Sequence, residues 1–480
     1  MKRKFIWNLL LVLILNLLIK PFYILGIDAE IINRVGASVY GNYFALINFS
    51  FLLNIILDLG ITNFNAKNIA QHHQLLDKHF SGIITLRLVL VFIYLLATFL
   101  IAFLIGYDKN QFQILLILAL NQSLVAFILY IRSNLAGLHL FIQDSIVSVL
   151  DRVLLILICS ILLWGGLHNR SFQIEWFIYA QTISYLMTLC VCFLLVFRKT
   201  SNFSFKWNTA FAIVILKKSI PYALLIFLMT IYYRIDSIML ERMLNDTSIQ
   251  AGVYAQAYRF FEASNMFAYL FAALLLPIFS RMLKLGESIH DLVYFSFKTL
   301  MGFAFIVTVF CIFNAYDIMN VRYHEYIAES SDIFIVLMIC FLCVSSTYIY
   351  GTLLTANGNL FYLNIVASLG VVLNIVLNII LIPKHQALGS AFASLITQFL
   401  TGLCQIILCC YIFRLDLVKT CLRLLLFLIG IILCAYYLHL NSYSLYYAFM
   451  LYSLFSLSWM FMTRIVIFSD FKLLISSKLK

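Results

Sequence analysis

Long runs of apolar residues, separated by short polar stretches, fill almost the whole chain. An α-helix needs about 20 apolar residues to cross the hydrocarbon core of a membrane, and most runs reach that length. They lack the alternation of polar and apolar residues that outer-membrane β-barrels require. The pattern therefore predicts an all-α polytopic membrane protein with about fourteen (12–14) transmembrane helices. The predicted helices are 8–32, 38–60, 81–105, 111–137, 145–165, 172–197, 212–240, 250–280, 290–315, 331–355, 361–382, 387–413, 420–439 and 444–467.

Composition supports a membrane-embedded chain. Of the 480 residues, 64% are hydrophobic and only 11% are charged, which is far from the balance of soluble domains. The apolar run that follows the basic start at Met1 is too long for a secretory signal, so we expect an uncleaved first span. The longest connections, roughly 198–211 and 316–330, are too short to fold as domains. Any chemistry is therefore expected within the helical bundle.

The net charge of +12 is explained by orientation across the membrane. If the chain starts in the cytoplasm, 23 of the 32 Lys and Arg residues lie at or near inner helix ends, six lie outside, and three lie within helices. An excess of basic residues on the inner side is typical of multi-pass proteins. Both termini are therefore predicted to be cytoplasmic, and no nucleic-acid partner is expected.

The sequence contains no motif that favours catalysis or metal binding. The sequence holds no phosphate-binding loop, serine-hydrolase elbow or zinc-protease helix motif. Cys340 and Cys343 have a CxxC spacing, but they lie in an apolar helix without a second pair, where cysteine acts as a small packing residue. His72, His73 and His79 fall in one polar loop, where solvation is the better explanation. The chain is predicted to have no metal, no cofactor and no catalytic residues.

Two sequence echoes indicate an internal repeat. The triplet GNY at Gly41 opens one predicted helix, and GVY at Gly252 opens another 211 residues later. A second echo links residues within 130–148 to residues within 350–368, at an offset of 220. Many transporters build alternating access from such repeats, with the substrate site at the repeat interface. The predicted organisation is a six-helix bundle at 1–200, a second at 201–414, and two added helices with a cytoplasmic tail at 415–480.

Polar residues in the first predicted helix form one stripe. Asn16, Lys20 and Tyr23 follow i, i+4, i+7 spacing and so share a helix face. Pro21 is expected to kink the helix beside them. A lysine midway along a span is costly in hydrocarbon, so a place in a central cavity is favoured for Lys20 over snorkelling to the interface.

Other charges fall within or near the predicted spans. Arg234 and Asp236 are two residues apart, point to different faces, and lie close enough to the outer interface that anchoring explains them as well as function does. Arg259 and Glu262 are three apart on one face, so a local ion pair is expected, with lining of the cavity as the favoured role. Asp58 is interpreted as a helix cap or an inter-helix tie.

The segment Tyr232–Arg281, "YYRIDSIMLERMLNDTSIQAGVYAQAYRFFEASNMFAYLFAALLLPIFSR", resembles a signature of the Wzx-type polysaccharide repeat-unit flippases. These belong to the multidrug/oligosaccharidyl-lipid/polysaccharide (MOP) exporter superfamily. In that family an aspartate precedes a GxYxxAYRxxE element and a proline-terminated helix. The matching residues are Asp236, Gly252, Tyr254, Ala257, Tyr258, Arg259, Glu262 and Pro277.

Two further segments carry the same resemblance, which then extends over essentially the whole chain. The run from Gly41 is similar to the family's second helix. The run from Asn378, "NIILIPKHQALGSAFASLITQ", resembles its LIPxxGxxGAAxAT turn. Gln386, Ser390 and Ser394 depart from that pattern.

The resemblance implies a flippase of the bacterial cytoplasmic (inner) membrane that moves polyprenyl-diphosphate-linked oligosaccharide to the outer leaflet by alternating access. The diphosphate favours cations in a cavity, and the sugars favour tyrosine, asparagine and arginine walls. Expected partners are the lipid-linked oligosaccharide, membrane lipid, and a polysaccharide polymerase or other assembly proteins. The expected substrate pathway comprises Lys20, Arg259, Glu262, Arg234, Asp236, Asn16, Tyr23 and Tyr258. The residues expected to serve packing and closure are Gly41, Gly252, Pro21 and Pro277.

Other functions remain open at this stage. A lipid-linked peptidoglycan-precursor flippase would suit fourteen helices, and a drug exporter of the same superfamily would prefer acidic groups in its cavity. A membrane polymerase or glycosyltransferase is disfavoured because it would need a larger loop or a soluble domain. The sequence does not distinguish between O-antigen, capsule and other polysaccharides, and it does not identify the coupling ion.

The charge distribution generates a test of topology. We expect the 316–330 connection to face outside, because the basic residues accumulate on the opposite side. A cysteine replacing Glu325 should therefore react with an impermeant reagent added to intact cells. Protection of residue 325 from that reagent would contradict the predicted orientation.

Overall fold

The computed structural model describes residues 15–62, 65, 69, 75–138, 140–165, 172–197, 209–244, 248–441 and 443–465. Within these residues, twelve helices are long and apolar enough to cross a membrane. Residues 15–22 form an N-terminal helix, which a π-helical turn, Tyr23–Asp28, joins to the next α-helix. The α-helices are α1 (Ala29–Leu52), α2 (Ile55–Asp58), α3 (Leu75–Ile105), α4 (Lys109–Gly137), α5 (Phe141–Trp164), α6 (Ile174–Phe197), α7 (Thr209–Met243), α8 (Ile249–Leu285), α9 (His290–Phe313), α10 (Ala315–Arg322), α11 (Ile327–Ala356), α12 (Leu360–Phe413), α13 (Val418–Leu440) and α14 (Leu445–Met462).

Two of the twelve spans are much longer than a membrane is thick. Leu15–Asp58 has 44 residues and Leu360–Phe413 has 54, whereas one crossing needs about 20. Each contains a backbone break, at Gly36 (φ 81°, ψ 162°) and at Gln386 (φ 51°, ψ −132°). The breaks fall in the connections predicted between 32 and 38 and between 382 and 387. The all-helical membrane fold is confirmed, and the count of fourteen crossings stays a prediction.

Some local expectations differ from the observed helices. The predicted loop 316–330 contains α10, and the buried Tyr323 after it donates a hydrogen bond to the Gln256 carbonyl, 3.1 Å away. This contact fixes the connection. α8 does not end near Pro277 but continues to Leu285.

The contacts within the chain divide it into two compact units, Met1–Ala255 and Gln256–Lys480. The division falls inside α8. In the first unit, α7 packs on α1, and the Arg234 guanidinium donates to Asn48 Oδ1 at 2.9 Å. In the second unit, Ser390 donates to Asn378 Oδ1 at 2.7 Å and ties the two halves of α12. The predicted repeat boundary near residue 200 stays a prediction, and the 198–208 part of that connection lies outside the described residues.

Asp58 lies near the end of the second predicted helix and caps the turn that follows it. Leu59 adopts a left-handed conformation (φ 43°), which turns the chain back towards the helix end. The Asp58 carboxylate accepts backbone N–H groups from Gly60 at 3.2 Å and Thr62 at 3.1 Å. It also forms an ion pair with Arg87 of α3. The interpretation of Asp58 as a cap and an inter-helix tie is therefore confirmed.

Arg87 is one of the largest fully buried side chains, with 1% of its surface exposed. Besides Asp58, its guanidinium donates to the carbonyls of Leu57 and Ala126, at 3.3 and 2.9 Å. It also lies 5.0 Å from the ring centroid of Tyr130. One cation thus joins α2, α3 and α4. In the sequence, Arg87 was counted among the basic residues near inner helix ends, and its burial was not predicted.

Removal of the Arg87 charge should destabilise the first unit strongly. The substitution removes the hydrogen bonds of a charged group to Asp58 and to the Leu57 and Ala126 carbonyls, and such bonds contribute about 1.5–3 kcal/mol each. Arg87→Met should therefore lower the melting temperature of the detergent-purified protein. Arg34→Gln is the control, because its pair with Glu30 is more exposed and such pairs contribute about 0–1 kcal/mol. Equal melting temperatures of the two variants would contradict the assignment.

Candidate functional site

The polar stripe of the first helix faces α5. Asn16 donates to Ser148 Oγ at 3.1 Å, and the Tyr23 ring lies 4.9 Å from the Arg152 guanidinium. Ser148 and Arg152 are four apart and so share one face of α5. Lys20 lies between its two neighbours on the stripe. The predicted stripe is therefore one face of the N-terminal helix, packed along one face of α5.

Two further cations lie near Lys20. Its ammonium group is within electrostatic reach of Arg152, Asp151 and Arg132. Arg132 forms an ion pair with Asp144 at 2.8 Å, and Arg152 lies 3.5 Å from Asp151. Three positive side chains therefore face two negative ones. We define this group, Lys20, Arg132, Arg152, Asp144 and Asp151, as the Lys20 cluster.

Sequence reasoning found only Lys20 in this cluster. Arg132 and Arg152 lie near predicted inner helix ends, so the positive-inside rule already explained them. The missed signal is the spacing of Asp144, Ser148 and Arg152, which places three polar residues on successive turns of one apolar helix.

Pro21 lies two residues before the π-helical turn Tyr23–Asp28. A proline cannot donate the backbone hydrogen bond of a regular helix, and π-turns interrupt helices at such places, often near functional sites. The helix is therefore irregular just after Pro21, and the kink expected at Pro21 itself stays a prediction.

Arg234 and Asp236 have different partners, as their spacing of two residues predicts. The Arg234 guanidinium lies 4.8 Å from the Phe51 ring centroid in addition to its bond to Asn48. Asp236 is buried and accepts a hydrogen bond of 3.0 Å from the Tyr254 hydroxyl. Both residues therefore take part in the packing of α7.

A second buried carboxylate was not identified from the sequence. Asp28 is fully buried at the end of the π-helical turn and accepts a 2.7 Å hydrogen bond from the Tyr40 hydroxyl. The tyrosines that donate to Asp28 and Asp236 are Tyr40 and Tyr254, which lie close in sequence to Gly41 and Gly252. The sequence signal was an acid within an apolar span, but Asp28 lies near the predicted end at residue 32, where an interfacial position is ordinary.

In the second unit, Arg259 and Glu262 form the expected ion pair. Their Nη1 and Oε2 atoms are 2.7 Å apart, with 10% of the Arg259 side chain and 24% of the Glu262 side chain exposed. Tyr258 is buried, and its ring packs on Phe261 at 5.5 Å. The cavity role of these residues stays a prediction. Pro277 is exposed within α8.

Gly41 and Gly252 lie against each other's helices. A Cβ on Gly41 would overlap the Ser248 carbonyl oxygen, and a Cβ on Gly252 would overlap that of Ala37. Each glycine therefore meets the residue four positions before the other glycine. The contact is reciprocal at the offset of 211 residues found in the sequence, so the two positions are equivalent in this contact.

Metal binding has no obvious place in the described part of the chain. No three His, Cys, Asp or Glu side chains are grouped there to hold an ion.

The helical fold, with its broken long helices and buried charged groups, is that of a multi-pass membrane protein. A family model described as "Polysaccharide biosynthesis protein" matches residues 2–283, which is more than half of the chain. The chain belongs to this family. No curated protein sequence matches it.

Solved structures share the fold at low sequence identity. A lipid II flippase, MurJ, in an inward closed conformation has a TM-score of 0.71 and 15% identity, covering 96% of this chain and 97% of MurJ. An inward-facing multidrug resistance MATE family transporter has a TM-score of 0.61 and 13% identity, covering 81% and 93%. A mutant of the Vibrio cholerae MATE transporter VcmN has a TM-score of 0.57 and 14% identity, covering 92% and 96%.

The reciprocal glycine contact predicts the effect of a larger side chain. Gly41→Leu must push α1 away from the start of α8, because the overlapping atoms belong to the backbone. In a cysteine-free background, a cysteine replacing the buried Ala37 should then react several-fold faster with a permeant maleimide. Gly26→Ala is the control, since a Cβ there would make ordinary contacts of 3.7–3.8 Å. Unchanged reactivity in Gly41→Leu would contradict the contact.

Proposed function

We propose that the protein is a flippase that moves polyprenyl-diphosphate-linked oligosaccharide from the inner to the outer leaflet. The observation that carries the proposal is the Lys20 cluster, in which three cations face two carboxylates between helices of the first unit. A group of this kind favours an anion such as a diphosphate. Membership of the polysaccharide biosynthesis protein family supports the same substrate class.

Different residues of the site would bind different parts of the substrate. Lys20 and Arg152 would contact the diphosphate, because lysine acts as a compact point charge and arginine presents a planar fork of donors. Asn16, Tyr23 and Tyr258 would offer hydrogen bonds or stacking surfaces to sugars. Arg259 and Glu262 would hold polar groups of the oligosaccharide further along the pathway. The isoprenoid tail would remain in the bilayer, and no covalent step is required.

Transport would proceed by alternating access. In this proposal the two repeats rock about a central site, and the Gly41–Gly252 contact belongs to the state in which α1 and the start of α8 are close. The membrane potential, an ion gradient or consumption of the product outside could drive the cycle. The protein would lie in the bacterial cytoplasmic membrane with both termini inside. A polysaccharide polymerase would take up the product at the outer leaflet.

A lipid-linked peptidoglycan-precursor flippase is the second candidate, favoured by the fold shared with MurJ over 96% of the chain. Its substrate also carries a diphosphate on a polyprenyl chain, so the Lys20 cluster suits both. A drug exporter is less favoured, because organic cations would be repelled by a cluster with an excess of positive charge.

Substitution of the proposed binding cations should greatly reduce transport. Lys20→Ala and Arg259→Ala each remove a charge-assisted contact worth about 1.5–3 kcal/mol, which corresponds to roughly a tenfold loss or more. Arg259→Lys should restore transport only in part, because lysine lacks the guanidinium fork. The measurement is complementation of a flippase-null strain, with membrane insertion verified.

Lys384→Ala is the matched control, because Lys384 is an exposed cation next to the break in α12. It should complement fully. Full complementation by both Lys20→Ala and Arg259→Ala would remove these residues from the mechanism.

A further inference from the structure

An apolar pocket lies within the first unit between α1, α3 and α7. Its volume is about 350 Å³, within the range of ligand pockets. Nine apolar side chains line it, among them Phe49 and Leu52 of α1, Ile101 of α3 and Ile238 of α7. Arg242 is the one charged residue among the described residues that line it. The pocket therefore combines an apolar interior with a single cation.

The depth of the pocket matches one leaflet of a membrane. Asn42 of α1 bonds to Gln111 at the start of α4, at 3.0 Å, and Gln111 in turn bonds to Arg242. Leu52 lies ten residues further along α1, which is about 15 Å at 1.5 Å per residue. The hydrocarbon core is about 30 Å thick. The pocket thus extends about 15 Å from the Arg242 level, which is half the thickness of that core.

Membrane lipid is the medium that surrounds this face. The neighbouring α3 residues Leu100, Phe103 and Leu104 are exposed, with 57%, 73% and 74% of their surfaces accessible. Exposed side chains of this type on a membrane-spanning helix face acyl chains. An open apolar pocket on such a face is accessible to a lipid chain before any water-soluble ligand.

The cation is held in a fixed place at the pocket's end. The Arg242 guanidinium lies 2.7 Å from the Glu241 carboxylate, 2.8 Å from Gln111 Oε1 and 3.8 Å from the centroid of the Tyr107 ring. These contacts use only part of the five N–H donors of a guanidinium, and 26% of the side chain is exposed. Arg242 can therefore still bind an anionic oxygen.

Tyr107 supplies a second donor group at this end of the pocket. Its buried hydroxyl finds no hydrogen-bond partner among the described residues. Burial, reinforced by the charge of Glu241, raises the pKa of Tyr107, so the hydroxyl keeps its proton. Arginine offers only donors and cannot accept that proton. Tyr107 also packs on the pocket residue Phe49, with ring centroids 5.3 Å apart.

We propose that this pocket binds a glycerophospholipid, with one acyl chain between α1, α3 and α7 and the phosphate on Arg242. Under the predicted orientation the lipid comes from the outer leaflet. The site is separate from the Lys20 cluster, and the lipid is a resident of the bilayer and not the transported substrate. Its binding does not depend on the flippase function proposed above.

Photo-crosslinking tests the site on the wild-type protein. The probe is phosphatidylglycerol with a photoreactive group at mid-chain, added to the purified protein in neutral-lipid nanodiscs. Labels mapped by mass spectrometry should concentrate on peptides around Phe49–Leu53, Ile101–Ile105 and Ile235–Met243. The control is the peptide around Leu433, which is 62% exposed on α13. Labelling in proportion to exposure, with no excess at the pocket, would overturn the proposal.

Two further arms test the phosphate contact. A photoreactive diacylglycerol, which lacks the phosphate, should label the pocket of the wild-type protein roughly tenfold less, the loss expected for one charge-assisted contact. Arg242→Gln should reduce phosphatidylglycerol labelling by a similar factor, whereas Arg423→Gln, at an exposed cation near the start of α13, should not. Equal labelling by the two lipids would exclude Arg242 as a phosphate ligand, even if the variant fails to fold.

Discussion

The first unit depends on a backbone contact between α1 and the start of α8 that only glycine allows. Gly41 and Gly252 each present a bare backbone to a carbonyl of the other helix, so a side chain at either position would force the helices apart. The contact sets where Tyr40 and Tyr254 lie, and these tyrosines donate to the two buried carboxylates, Asp28 and Asp236. The close packing of α1 on the start of α8 therefore also positions the hydrogen bonds of the two buried carboxylates.

Charged groups elsewhere follow the rule that burial in an apolar bundle requires partners. Arg87 has a carboxylate and two carbonyls, and Arg259 has Glu262. The Lys20 cluster differs because its cations outnumber its carboxylates. This excess is the physical reason to place an anionic substrate group there.

Much of the fold could be predicted because membrane-spanning helices are recognisable in a sequence from the length of their apolar runs. The breaks at Gly36 and Gln386 coincide with predicted connections. The Asn16–Lys20–Tyr23 stripe was expected to line a cavity, whereas Asn16 and Tyr23 contact α5. The burial of Arg87 and the Arg132 and Arg152 contacts could not be predicted. Both the lipid-facing and the protein-facing sides of these helices are apolar, so periodicity does not reveal which neighbour a side chain meets. The reciprocity of the two glycines could be guessed from the repeat, but their direct contact needed the three-dimensional structure.

The central claim is tested most directly by translocation in a reconstituted system. Purified protein in vesicles would be given a polyprenyl-diphosphate-linked oligosaccharide in one leaflet, and the sugar's arrival in the other would be followed with an impermeant sugar-oxidising reagent. The account predicts protein-dependent translocation of this lipid and no transport of a fluorescent organic cation under the same gradients. Transport of the cation without movement of the lipid-linked sugar would contradict it.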